Sequence, residues 1–392
     1  MLFLPLGLHL PYFPVWLAER GFTESEIAAA LAVPLALRVL LAPAAAAIAD
    51  KRGIAATLAA CAAALLAGYC GLSLVSGFVP VFIGAVLVAA ALGVMVPLAD
   101  ALTLSGIRRV EDAGLGRIAY GHIRVFASLG VLGTMVLSGF IAALFPGERI
   151  ILALAGLALL PAAASLLAAA KLKDLHARGV PQSSPAGCGS ELRLAIFFIG
   201  AAALIQASHA EVYSFASLHW RAAGFADKLI GAAWAAGVAS ESILFVLTAR
   251  YFAAGKNAGR FLILGAAGAI CRWLAMSTDP GPLWVIALQA MHGLSFGATY
   301  FGSVLLLSGI ARETHRARMQ GWLAAASALS LSAATFACGR LTALYGERTY
   351  LAMAGLAAGG LVLAVLADAL KQRAELLSAA VLTPIARAPR GE

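Results

Sequence analysis

The sequence predicts an all-α integral membrane protein with twelve transmembrane helices in two pseudo-symmetric six-helix halves, and three observations predict it. Of 392 residues, 62% are hydrophobic and only 12% charged, against roughly 45–50% and about 25% in a soluble domain. The apolar residues fall in blocks of about 17 to 28, and about 20 are needed to cross a bilayer as a helix. Segments of the first half also recur in the second. Ala and Gly are abundant throughout, which lets helix backbones approach closely where no hydrophobic effect drives them together.

Taken in order, the spans are 1–17, 26–49, 54–76, 79–105, 120–145 and 149–170, then 194–219, 228–252, 260–277, 282–309, 318–345 and 349–370. The first begins directly in apolar sequence with no basic segment before it, so it reads as a retained helix rather than a cleaved signal peptide. Its 17 residues barely span, which suggests a missed upstream start codon. Short polar gaps separate the rest. The longest, Lys171 to Arg193, carries Pro181, Ser183, Ser184, Pro185 and Gly187, the composition of a flexible linker. The expected organisation is a first half over 1–170, a cytoplasmic linker over 171–193, a second half over 194–370 and a cytoplasmic tail over 371–392.

Orientation follows from Lys and Arg, which concentrate on the cytoplasmic side. The side holding the termini collects 19 of them and the other side 5, with Arg38, Arg124, Arg272 and Arg340 inside spans. Both termini are therefore expected in the cytoplasm, in a cytoplasmic (inner) membrane.

The repeat is explicit. Gly147 to Ala158 matches Gly346 to Ala357 at nine of twelve positions, both copies opening with Gly-Glu-Arg at the start of the last helix of their half. At an offset of 203, Gly21, Phe22 and Ile27 match Gly224, Phe225 and Ile230, and Leu104 to Ile107 matches Leu307 to Ile310. Parallel six-helix repeats are the plan of transporters whose halves rock about a midplane site.

Ionisable groups inside spans are costly and mark functional candidates. Arg38, in the second span, has Glu241 as its counterpart at the offset of 203, so pseudo-symmetric positions carry opposite charges at about the same depth. They suit an anionic substrate and a proton; a structural ion pair between the halves is the other reading. Trp234, Gly237, Glu241 and Phe245 share a helix face at i, i+3, i+7 and i+11, offering an aromatic wall and room for a ligand. Gln206, His209 and Tyr213 in the seventh span, and Gln289, His292 and Phe296 in the tenth, repeat an amide, imidazole and aromatic spacing. An intramembrane His is also a common interhelical hydrogen-bonder, so both readings stand. Glu211 lies about 200° around a regular helix from His209 and ranks second to Glu241 as a proton carrier. Asp100 and Arg124 are placed to pair across a hairpin, as a gate or a structural charge pair. Arg272 and Arg340 are in the outer halves of their spans, where a long side chain can snorkel to the interface; for Arg272 that structural reading leads.

No metal or other cofactor is expected. The five cysteines are scattered without CxxC spacing. The net charge of +9 is dispersed without a basic stripe, which argues against nucleic acid. Without HExxH or GxSxG, a polytopic membrane enzyme is a remote alternative. With no P-loop pattern, energy for uphill transport has to come from an ion gradient.

Several stretches together resemble the major facilitator superfamily, and within it the phenylpropionate:proton symporter group. They are Leu10-Pro11 through Val15-Trp16-Leu17, Pro97 to Ala101, Tyr120-Gly121 with Arg124 and Ser128, Gln206 with His209, Tyr213, Phe215 and Trp220, Glu241 with Phe245, Arg272-Trp273, and Gln289 with His292 and Phe296. Asp50-Lys51-Arg52-Gly53 is similar to the superfamily's loop 2–3 motif, with Ala46 in place of its leading glycine. The resemblance implies alternating access and proton-coupled uptake of a small organic acid by a monomer in the bilayer. Glu211 and Arg340 have no counterpart in that pattern. A proton-driven exporter or a nucleoside-type symporter on the same fold is the alternative.

Overall fold

The computed structural model describes residues 2–114, 116, 120–172, 189–251, 258–310 and 316–382. Among them the chain is helical and contains no strand. The helices are α1 (Leu4–Glu19), α2 (Glu24–Arg52), α3 (Ile54–Leu74), α4 (Phe78–Asp112), α5 (Tyr120–Leu144), α6 (Ile150–Lys171), α7 (Gly189–Ala207), α8 (Ala210–Ser214), α9 (Ala216–Ala222), α10 (Asp227–Tyr251), α11 (Ala258–Met276), α12 (Pro282–Ala290), α13 (Thr299–Ile310), α14 (Arg316–Tyr345) and α15 (Thr349–Leu382). Most of the sequence-predicted spans reappear as long apolar helices. Most of the predicted linker, 173–188, lies outside the described residues.

Local chemistry explains the ends and the tolerated prolines. Thr23 caps α2 in a reciprocal box: its hydroxyl accepts from the Glu26 amide at 3.4 Å, and the Glu26 carboxylate accepts from the Thr23 amide at 2.9 Å. Pro11 and Pro14 lie inside α1, and Pro34 and Pro43 inside α2. Such breakers persist in membrane helices because neighbouring helices and side chains satisfy the backbone groups they free. Large apolar residues such as Leu74 and Leu283 point outward at 85% and 80% exposure, a surface suited to lipid.

Helices α1 to α6 pack among themselves, as do α7 to α15, and the two sets meet chiefly along α2 with α14 and α5 with α10. The seam is tightest at the end of the bundle remote from the termini. A Cβ at Gly339 would sit 2.5 Å from the Ala28 Cβ and 2.8 Å from the Glu24 carbonyl, so α14 meets the start of α2 backbone to backbone. Gly139 lies equally close to the Asp227 carbonyl, joining the end of α5 to the start of α10. Polar ties cross the same seam. Arg221 meets Glu19 at 2.5 Å, and the Tyr12 hydroxyl donates to the Asp227 carbonyl at 3.0 Å.

Two predicted spans are not the regular helices that their periodicity suggested. The seventh stops at Ala207, turns through Ser208 and His209, and resumes as α8 and α9. The tenth breaks after Ala290 and runs as a π-helical stretch, Gly293–Ala298, before α13. Side-chain hydrogen bonds hold the first break: the Ser208 hydroxyl donates to the Ile205 carbonyl at 2.6 Å and accepts from the Trp273 indole at 2.9 Å. Rotations of 100° per residue therefore do not carry across these points, and π-bulges cluster at functional sites.

The glycine seam generates a test. Gly339→Leu should prop the remote end apart. In a background lacking the native cysteines, Thr335→Cys should then react with a membrane-impermeant maleimide from the side opposite the termini. Without the leucine, that residue should stay protected from that side.

Candidate functional site

Between the two helix sets lies a cavity of about 450 Å³. Its lining residues stand on the termini side of the closing seam along each chain segment: His9 and Phe13 before Glu19, Met135 before Gly139, Glu241 after Asp227, Thr335 before Gly339. The cavity is thus sealed at the remote end. Its walls differ in chemistry. From α1 to α6 come Leu6, Leu10, Phe13, Leu92, Val96 and Met135, with His9 and Arg38 the polar members. The other set supplies Tyr213, Trp234, Glu241, Arg272, Gln289 and His292.

Arg272 is the centre of the polar wall. It is 1% exposed. One terminal nitrogen donates to the Ser295 hydroxyl at 3.0 Å and lies 3.3 Å from Nδ1 of His292, the other donates to the Gln289 amide oxygen, and the group also lies over the Trp273 ring. All of these partners are uncharged in that role. Among the described residues no carboxylate forms an ion pair with Arg272, and its Nε has no hydrogen-bond partner. A buried cation satisfied by neutral dipoles stays short of its counter-charge, so an anion entering the cavity meets a prepared site.

The π-helical turn is what assembles this group. It places Ser295 against Arg272 and against Nε2 of His209 at 3.0 Å, while His292 turns its Nε2 toward Glu241 at 3.8 Å and the Tyr213 hydroxyl at 3.5 Å. His292 therefore stands between the cation and the carboxylate, one ring nitrogen toward each. A ring so placed can exchange a proton with the carboxylate while sensing the charge state of the anion site. His292 also stacks on Phe296 at 5.0 Å, and Tyr213 stacks on Trp234 at 6.1 Å.

Comparisons with known proteins agree with this architecture. The MFS_1 like family matches residues 1–340. The chain belongs to that family. It is 27% identical over 314 residues to a protein of Escherichia coli (strain K12) described as "Probable 3-phenylpropionic acid transporter", covering 77% of this chain and 78% of the relative. Among solved structures, the nucleoside transporter NupG is similar at a TM-score of 0.73 and 17% identity, covering 94% of this chain and 96% of that one. The peptide transporter POT in complex with sulfate has a TM-score of 0.69 at 12% identity, covering 95% and 91%. At such identities the structures speak to fold alone. This MFS_1 like protein is a multi-pass membrane transporter, not an enzyme.

The transporter brings together most, not all, of the residues that its sequence singles out. Arg38, Tyr213, Trp234, Glu241, Gln289, His292 and Phe296 line the cavity. Gln206 and His209 do not: His209 is fully buried behind the wall, held by the Ile205 carbonyl at 3.1 Å and by Ser295. The helix break accounts for this, because the i, i+3 face assumed for Gln206 and His209 ends where the helix does. Phe245 packs on Tyr300 at 6.2 Å instead of lining the cavity. Arg38 and Glu241 both line the cavity, the Arg38 stem lying over Gly93. Glu211 lies outside the cavity, buried, with the Thr342 hydroxyl 2.9 and 3.0 Å from its two oxygens. The Arg124 side chain lies outside the described residues, so a pairing with Asp100 has no description here.

Arg272 is the correction that matters most. Its position in the outer half of a span predicted snorkelling, yet the α11 surface that carries it faces the protein interior alongside Gly265, Gly268 and Ala269. Depth along a helix says nothing of azimuth. The signal that could have found it was its place beside Trp273 in the family resemblance. His9 was also missed, because one histidine among prolines and leucines shows no periodic pattern.

Replacement of Gln289 tests the neutral shell. Gln289→Leu leaves a guanidinium N–H unpaired in the interior, a loss of about 1–3 kcal/mol, and should lower the melting temperature of the purified protein. Gln289→Glu hands Arg272 a resident carboxylate; it should raise the melting temperature and weaken binding of anions.

Proposed function

We propose that this protein accumulates a small aromatic carboxylic acid by proton symport. The chain would act as a monomer of twelve spanning helices in two six-helix halves, with both termini in the cytoplasm and the transporter in the inner membrane. One observation carries the reading: a buried guanidinium with no carboxylate partner among the described residues faces the cavity, and a histidine links it to an acid. The relative named for 3-phenylpropionic acid supports the aromatic choice, as do Phe13, Trp234 and Phe296 in the cavity walls. A neutral nucleoside would leave Arg272 without a counter-charge.

Electrostatics sets the coupling. A second negative charge in the same chamber disfavours the ionised form of a carboxyl group, so an incoming carboxylate favours a protonated Glu241 beyond His292. The substrate anion at Arg272 and the proton at Glu241 then cross together as a neutral pair. The seam closed at the remote end corresponds to the cytoplasm-facing state, from which both leave. Once the anion departs, the cation at Arg272 again favours a charged Glu241 and the proton follows. Asp100 and Arg124 belong to the cytoplasmic side of this cycle as a gate or a charge pair, and Gln206 and His209 support the wall that binds substrate.

Proteoliposome uptake of labelled 3-phenylpropionate with and without an inward proton gradient is the direct test. Gradient-stimulated accumulation is expected; accumulation that follows sodium and ignores pH would refute the coupling. Arg272→Gln should raise the half-saturation concentration about 10- to 100-fold, as expected for a lost charge-assisted hydrogen bond. Glu241→Gln should abolish uphill accumulation and retain exchange, since a permanently neutral side chain binds but cannot release a proton. Glu211→Gln should keep accumulation, because Glu211 lies outside the cavity and an amide oxygen can still accept from the Thr342 hydroxyl. The reverse outcome for the two variants would move the coupled proton to Glu211.

A further inference from the structure

The wall facing Arg272 carries a second polar feature, His9. It is 7% exposed yet lines the cavity, and its ring is fixed twice over. It stacks on Phe13 with centroids 4.4 Å apart and planes 21° apart, and its Nδ1 bonds the Tyr69 hydroxyl at 2.9 Å. Tyr69 is itself wholly buried. With Nδ1 taken, Nε2 has no hydrogen-bond partner among the described residues, and it is not among the buried polar atoms shut off from space. The cavity is the space that His9 borders. His9, from the first helix set, and Tyr213 and His292, from the second, line the same cavity, so its polar groups come from both sets. Between these poles the lining is apolar, through Leu10, Phe13, Met135 and Trp234.

We infer that the preferred substrate is an aromatic acid carrying a hydroxyl on the ring end remote from its carboxylate, with His9 Nε2 as the hydroxyl's partner and Tyr69 as its positioning residue. This rests on the symport reading above and narrows its substrate. The chemistry selects a hydroxyl for a specific reason. If Tyr69 donates to Nδ1, Nε2 carries the proton and offers a donor; if Nδ1 donates to Tyr69, Nε2 is an acceptor. A hydroxyl satisfies either tautomer, whereas a carbonyl serves only the first and an ammonium only the second. An unsubstituted ring leaves Nε2 unpaired in a largely apolar chamber once the substrate displaces water. A cavity of about 450 Å³ has room for one such acid. Because the two poles belong to different helix sets, a substrate spanning them would also draw the sets together, as alternating access about a midplane site requires.

The experiment is competition against gradient-driven uptake of labelled 3-phenylpropionate by three analogues differing only at the para position. 3-(4-Hydroxyphenyl)propionate should inhibit at about 5- to 10-fold lower concentration than the isosteric 4-methyl compound, the factor expected of one net hydrogen bond. His9→Phe should erase that ratio, His9→Gln should restore part of it, and Tyr69→Phe should shrink it. Equal potency of hydroxyl and methyl compounds in the wild-type protein overturns the inference even if no variant folds, while leaving proton-coupled acid uptake intact. Greater potency of the 4-carboxyl compound overturns it in favour of Arg38 as the second pole. If no aromatic acid competes or accumulates, both this inference and the symport reading fall.

Discussion

A fully buried guanidinium cannot be left unsatisfied, and the structure around Arg272 is organised by that constraint. Moving such a cation from water into a protein interior costs several kcal/mol even after relaxation. Three side chains from one broken helical segment, Gln289, His292 and Ser295, meet that cost in part with neutral dipoles. A regular helix would separate these residues by fixed rotations about its axis. The π-helical stretch widens the turn, so that Ser295 reaches both Arg272 and His209 while His292 reaches Glu241. The resident partners stop short of full compensation because none is a carboxylate. That shortfall is what the anion of the proposed symport would supply.

The same network explains why the two helix sets have unlike walls. The set carrying Arg272 and Glu241 places charge and hydrogen-bonding groups on its cavity face, and the opposite set gives mainly hydrocarbon. The amphipathic acid proposed as substrate would lie between them with its carboxylate at one side and its apolar body against the other. Closure at the remote end is made by backbone contact at Gly139 and Gly339 and by surface ties such as Glu19 with Arg221. Exposed ion pairs of this kind contribute little each, so the seam can part without a large penalty. Tight packing at glycines supplies shape, and weak polar ties leave it reversible.

The architecture was legible in the sequence because bilayer thickness translates directly into the length of apolar runs, and most of those runs reappear as helices within a residue or a few of their predicted bounds. The intramembrane ionisable residues were legible as well, since charge in lipid is rare enough to stand out. Glu241, Tyr213, His292, Gln289 and Trp234 line the cavity, although the regular helix faces that singled out Tyr213 and His292 are broken before each of them. Gln206 and His209 did not, because the helix that would have carried them to it breaks at Ser208. Glu211 fell outside the cavity as expected, although the regular rotation behind that expectation does not hold there.

Composition, periodicity and the internal repeat by themselves determined that this is a helical membrane protein, where its helices run, and which residues are too costly to sit in lipid without a purpose. They carry depth and spacing, which follow from fixed rise per residue. Only the tertiary structure decided azimuth: that Arg272 turns inward instead of snorkelling, that Glu211 pairs with Thr342 away from the cavity, and that His9 borders it with Tyr69 behind. Which way a side chain faces in a bundle depends on the helices packed around it and on local breaks in their regularity. Neither is encoded in the residue's own position along the chain.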